Sequence, residues 1–61
     1  MSRKDYIEIA RILTLSKDSM PHGTYLDLVY NFADLFAEDN PNFNEIKFAN
    51  ACGLDIVGVN N

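Results

Sequence analysis

The sequence contains no tryptophan, one cysteine, one histidine, and only five lysine and arginine residues against nine aspartate and glutamate residues. Its single cysteine, Cys52, excludes an internal disulfide, and no second cysteine pairs with His22 at the spacing of a zinc site. The scarcity of basic residues disfavours a phosphate-binding surface, since nucleic-acid affinity depends mainly on clustered lysine and arginine. Long apolar runs are missing as well. Glu8 and Arg11 interrupt the N-terminal one, so we expect neither a signal peptide nor a membrane span.

The length of 61 residues predicts a single domain, residues 1–61, that buries about 60% of its unfolded surface. A hydrophobic content of 48% with 23% charged residues is typical of a globular chain and not of a disordered one. Domains below roughly 70 to 80 residues often depend on disulfides, metals or oligomerisation. We therefore expect dense helix packing or association with another chain.

Apolar periodicity predicts an all-α, compact three-helix domain with helices at about 2–15, 24–39 and 44–52. In the first helix, Ser2 is a capping residue with Asp5 three positions later, and the apolar face comprises Tyr6, Ile9, Ala10 and Leu13. Pro21 and Gly23 predict a loop over residues 16–23. The second helix presents a broad apolar face of Tyr25, Leu28, Val29, Phe32, Leu35 and Phe36, and on its opposite side an exposed stripe of Asp27, Asn31, Asp34 and Glu38.

The segment 37–53, AEDNPNFNEIKFANACG, could be either an active site or a tight connection between two helices. Asn44 is placed to cap the third helix, and Phe43 and Phe48 occupy the two positions of a hydrophobic staple. Gly53 is placed to adopt a left-handed conformation that closes the helix and turns Leu54 back onto it. Each of these residues has a structural role, so we interpret the segment as a connection. The remaining tail 55–61, DIVGVNN, is predicted either to pack back or to fray.

No group of residues predicts catalysis. The spacing of Cys52 and His22 in the sequence gives no reason to expect their side chains to face each other as a nucleophile and its base. We expect Cys52 to be a structural cysteine and His22 a loop residue or a helix-start contact. The carboxylates of the second helix follow one surface and do not converge on a cleft. We therefore expect a non-enzymatic protein with no catalytic residue, metal site, cofactor or small-molecule substrate.

The segment 39–53, DNPNFNEIKFANACG, resembles the C-terminal signature of small uncharacterised bacteriophage proteins, which combine DNP and an aromatic residue with a basic-Phe pair and a final ACG. The opening SRKDYIEIARIL is similar to theirs, so the resemblance covers about half of the chain, while residues 14–30 have no counterpart. Asn44 stands where that family usually has aspartate, and Lys47 where it has arginine. The resemblance implies a phage or prophage origin and a compact helical fold, and it implies no activity. Since neither a signal peptide nor a membrane span is expected, we expect the protein in the host cytoplasm.

The acidic stripe suggests a function in protein binding. A rise of about 1.5 Å per residue separates Asp27, Asp34 and Glu38 by roughly 10 and 6 Å, which approximates phosphate spacing along a nucleic-acid strand. We predict that Asp27, Tyr30, Asn31, Asp34 and Glu38 bind a host protein, such as a defence or nucleic-acid-handling factor, and modulate or inhibit it. Two alternatives stay open: a structural protein that self-associates as a homodimer, and, less favoured, a weak helix-turn-helix-like DNA binder. A membrane partner is not expected.

Overall fold

The computed structural model describes residues 2–54 and confirms the all-α, three-helix architecture. Helix α1 spans Arg3–Leu15, α2 spans His22–Asp39 and α3 spans Glu45–Ala51, with a short 3-10 helix at Lys17–Ser19 between α1 and α2. Residues 2–54 contain no strand. Within the same residues, no helix combines the length and the apolar character needed to cross a membrane. The prediction for the tail beyond Leu54 lies outside the described residues.

Helix α1 begins and packs as its sequence predicts. The backbone N–H of Ser2 donates to the Asp5 carboxylate at 3.2 Å, which is one half of a capping box. Ala10 and Leu13 are buried, and the predicted neighbours on that face, Tyr6 and Ile9, pack against the same core. One face of α1 is therefore covered, while its basic residues lie in solvent.

Helix α2 begins two residues earlier than predicted, at His22 instead of Thr24. Pro21 is the cap residue, with φ of −57° and ψ of 148°, and its carbonyl accepts the N–H of Tyr25 at 3.0 Å. Because a proline directly before a helix already has a suitable φ, the helix starts at once and includes Gly23 in its first turn. The predicted loop 16–23 is correspondingly shorter, and part of it forms the 3-10 helix.

The buried face of α2 is narrower than the predicted one. Its buried residues are Tyr25, Val29, Ala33 and Phe36. Leu28 and Phe32 are only half-buried, and Leu35, which we predicted in the core, is 57% exposed. The reason lies in the packing: only the three-residue 3-10 helix and the seven-residue α3 have extensive contacts with α2 among the described elements, and both are too short to cover its full length.

An aromatic cluster joins the three helices at one end of the molecule. Phe36 of α2 is its centre, with ring centroids 4.9 Å from Tyr6, 5.8 Å from Phe32, 5.5 Å from Phe43 and 5.4 Å from Phe48. Offset and edge-on rings at such distances contribute beyond their buried area. The cluster thereby fixes the connection between α2 and α3 against α1.

The ends of α3 confirm the interpretation of segment 37–53 as a tight connection. The Asn44 side chain accepts the N–H of Lys47 at 2.9 Å, and the Phe43 and Phe48 rings lie 5.6 Å apart as the staple requires. Gly53 has a φ of +83°. The N–H of Leu54 donates to the carbonyl of Ala49 at 3.1 Å, and both residues are buried, which is the Schellman arrangement.

Candidate partner-binding site

The five residues predicted to bind a partner all lie exposed on α2. They are Asp27, Tyr30, Asn31, Asp34 and Glu38, and we call this surface the acidic face. Successive members are three or four residues apart, or adjacent at Tyr30 and Asn31, so a single helix carries them along one side. None of their side chains makes a hydrogen bond or ion pair to another residue in the described range 2–54. They are therefore free to contact another molecule.

Apolar side chains border the row of carboxylates in the acidic face on both sides. Tyr30, 43% exposed, lies three residues after Asp27 and four before Asp34. Leu35 lies four residues after Asn31 and three before Glu38, which places it on the other border. The sequence did not indicate Leu35 as a residue of this surface, because a leucine at that position also fits the edge of the apolar face of the helix. An exposed tyrosine and an exposed leucine thus flank the carboxylates on opposite sides.

The charge on α2 is not compensated within the helix. Its 18 residues include no lysine or arginine. The first turn contains no acidic residue and the last turn contains no basic residue. Asp34 and Glu38 form a like-charged pair four residues apart, and they lie in the C-terminal half, where the helix dipole disfavours negative charge. Each effect costs a few tenths of a kcal/mol. The acidic face therefore contributes nothing to the stability of the helix that carries it.

Cys52 and His22 do not form a catalytic pair in the structure. The Cys52 side chain is fully buried, and burial raises the pKa of its thiol from 9.0 to about 11. A thiol with such a pKa stays protonated near neutral pH and is a poor nucleophile. His22 lies exposed in the first turn of α2. Cys52 is thus interior, as predicted, and His22 lies at a helix start, which is one of the two positions predicted for it.

The carboxylates of the described chain do not gather around a common point. Within residues 2–54, no three histidine, cysteine, aspartate or glutamate side chains are grouped so that they can hold a metal ion. Helix α3, the third helix and therefore the DNA-reading helix in a helix-turn-helix interpretation, exposes Lys47 as its single cation.

No protein-family model, no curated protein and no solved structure matches this chain. The resemblance to small phage proteins therefore stays a prediction.

Proposed function

We propose that this chain is a small non-enzymatic phage or mobile-element protein that binds a host protein through the acidic face of α2 and modulates or inhibits it. The observation that carries the proposal is the row of exposed, unpaired carboxylates of Asp27, Asp34 and Glu38, with Tyr30 and Leu35 at its borders. Their lack of partners within residues 2–54 leaves all three charges available to another molecule.

The chemistry of the acidic face indicates a partner with a basic groove. Complementary charge steers encounter and selects the partner, while buried aromatic and aliphatic side chains supply most of the affinity. On this face the carboxylates would pair with lysine or arginine of the partner, and Tyr30 and Leu35 would be desolvated beside them. A nucleic-acid-handling enzyme has such a groove because it binds phosphates.

Affinity capture with a charge-reversed variant tests the proposal. The tagged chain is used to capture proteins from bacterial host lysate, in parallel with D34K/E38K, and bound proteins are identified by mass spectrometry. We expect a stoichiometric host protein with the wild type and its loss with the variant. The matched control is E8K/D18K, which changes the net charge equally at exposed positions off α2. Equal capture by all three chains would contradict the proposal, provided that circular dichroism shows the same helical content.

A second candidate is self-association, which one observation favours. Leu28, Phe32 and Leu35 recur at i, i+4 and i+7, and none of them is fully buried. Two copies that packed these side chains against each other would bury them and enlarge the hydrophobic core available to so small a chain. Light scattering across a range of concentrations distinguishes the two: a constant monomer mass supports partner binding, whereas a dimer mass that L35E abolishes supports self-association.

A further inference from the structure

A groove separate from the acidic face opens between α1, the connection 40–44 and α3. It has a volume of about 620 Å³. Its floor is part of the aromatic cluster, formed by Tyr6, Phe43 and Phe48, and Ile7, 56% exposed, stands at its side. Because the ring contacts of Phe36 hold both Tyr6 and Phe43, the floor is fixed by the core of the molecule.

The charge lining this groove is opposite to that of the acidic face. Arg3 of α1 and Lys47 of α3 line it, and no aspartate or glutamate does among the described residues. Within residues 2–54 neither cationic side chain forms an ion pair, whereas Arg11 of α1 pairs with Glu8 at 3.0 Å. A chain with a net charge of −4 thus places two of its five cations, unpaired, around one apolar floor.

The side-chain amides lining the groove add hydrogen-bond donors. The Oδ1 of Asn40 accepts the N–H of Asn42 at 3.0 Å, and the Oδ1 of Asn44 accepts the N–H of Lys47 at 2.9 Å. Both of these amide oxygens are engaged by the backbone, so Asn40 and Asn44 present mainly their NH₂ groups, while Asn42, which also lines the groove, offers an NH₂ group and an oxygen. Together with Arg3 and Lys47, the groove offers donors and a positive field to whatever contacts the aromatic floor.

We propose that this groove is a second docking site, for an acidic peptide segment of a partner protein that carries a large apolar side chain beside its carboxylates. The apolar side chain covers Phe43 and Ile7, and the carboxylates meet Arg3 and Lys47. Carboxylates and peptide carbonyls are the acceptors that match the donors of the groove. A nucleic-acid strand matches it less well, since two cations give few phosphate contacts. The site is independent of the acidic face and does not require the proposed function.

Titration of the full ¹⁵N-labelled chain with a defined peptide tests the site by nuclear magnetic resonance. The probe is the capped hexapeptide GDFLDG, with GNFLNG as its uncharged counterpart. We expect the amide signals of Tyr6, Phe43 and Lys47 to shift with the first peptide and those of Val29 and Tyr30 to stay in place. The uncharged peptide should bind about tenfold more weakly, since it lacks the ion pairs.

Charge reversal in the groove completes the test. R3E/K47E should weaken binding of GDFLDG about tenfold, and its fold should persist because Lys47 serves the α3 cap only through its backbone N–H. The control K4E/R11E makes the same change in net charge on α1 outside the groove and should bind like the wild type. The proposal is overturned if GDFLDG at about 1 mM leaves the groove signals unmoved, if GNFLNG binds equally well, or if both variants lose affinity alike.

Discussion

The hydroxyl of Tyr25 donates a 2.8 Å hydrogen bond to the backbone carbonyl of Cys52, which ties α2 to the end of α3 across 27 residues of sequence. The hydroxyl of Thr14 in α1 lies 3.3 Å from the carbonyl of Ala51, while its single proton has a nearer acceptor in the carbonyl of Ala10 at 2.8 Å. The three helices thus meet at the C-terminus of α3, where the last carbonyls of a helix lack partners of their own. This junction and the aromatic cluster together hold α2 so that its acidic face points outward.

Replacing Tyr25 by phenylalanine should lower the free energy of unfolding by about 1–3 kcal/mol, because the buried Cys52 carbonyl loses its donor. Urea denaturation of the wild type and Y25F measures the difference. The matched control is Y6F, since the Tyr6 hydroxyl is buried without a hydrogen-bond partner in the described residues. We expect Y6F to be unchanged or more stable by up to about 1 kcal/mol. An equal loss in both variants would show that the Tyr25 hydrogen bond is not the cause.

The side chain of Asn44 should stabilise the N-terminus of α3. N44A removes the acceptor of the Lys47 N–H and should cost about 1 kcal/mol in unfolding free energy. N42A is the control, because the Asn42 side chain makes no hydrogen bond in the described residues and only its backbone N–H is engaged. Thermal unfolding followed by circular dichroism compares the two. Equal melting of N44A and wild type would argue against the cap.

The two described glycines should respond in opposite directions to alanine. Gly53 has a φ of +83°, and a Cβ there would meet only the flexible Lys17 side chain at 3.4 Å, so the expected loss of about 1–2 kcal/mol comes from the backbone. Gly23 lies in α2 with nothing within 4 Å of an added Cβ, and G23A should gain up to about 1 kcal/mol. Chemical denaturation measures both. A gain in G53A would contradict the left-handed closure of α3.

The free energy of unfolding should fall as pH rises above 9, because the buried thiol of Cys52 then loses its proton more readily in the unfolded state than in the folded state. Its pKa is 9.0 when unfolded and about 11 when folded, so the folded state holds the proton more tightly. The contribution is fully present below pH 9 and is lost as pH rises through 11, by about 2–3 kcal/mol in all. Burial also raises the pKa of Tyr25, which adds a loss in the same direction above pH 10. C52A should show a shallower decline between pH 9 and 10, and a slope equal to that of the wild type would contradict the assignment.

Local sequence signals predicted the ends of the helices well, because capping is decided by a few adjacent residues. Asn44, the Phe43–Phe48 staple and the left-handed Gly53 all occur as predicted. The start of α2 was misplaced by two residues, since Pro21 and Gly23 favour a loop by composition but also permit a helix that begins directly after the proline.

The width of the buried face of α2 was not predictable from periodicity. Leu35 and Ala33 both lie near the apolar stripe, and the larger residue is the stronger candidate for burial by size alone. The structure buries Ala33 completely and leaves Leu35 exposed, because burial depends on where the short α3 lies. The same limit applies to the groove: Arg3 and Lys47 are 44 positions apart in the sequence, and no local pattern brings them together.

Photo-crosslinking from the acidic face tests the proposed function most directly. Tyr30 is replaced by p-benzoylphenylalanine, which keeps an aromatic ring at an exposed position, and Ile12 of α1, 54% exposed, is replaced in the same way as the control. After irradiation in host lysate, we expect the Tyr30 position to link to one host protein and the Ile12 position not to link to it. The absence of any crosslink from position 30, equal crosslinking from both positions, or a crosslink only between two copies of this chain would contradict binding of a host protein through the acidic face.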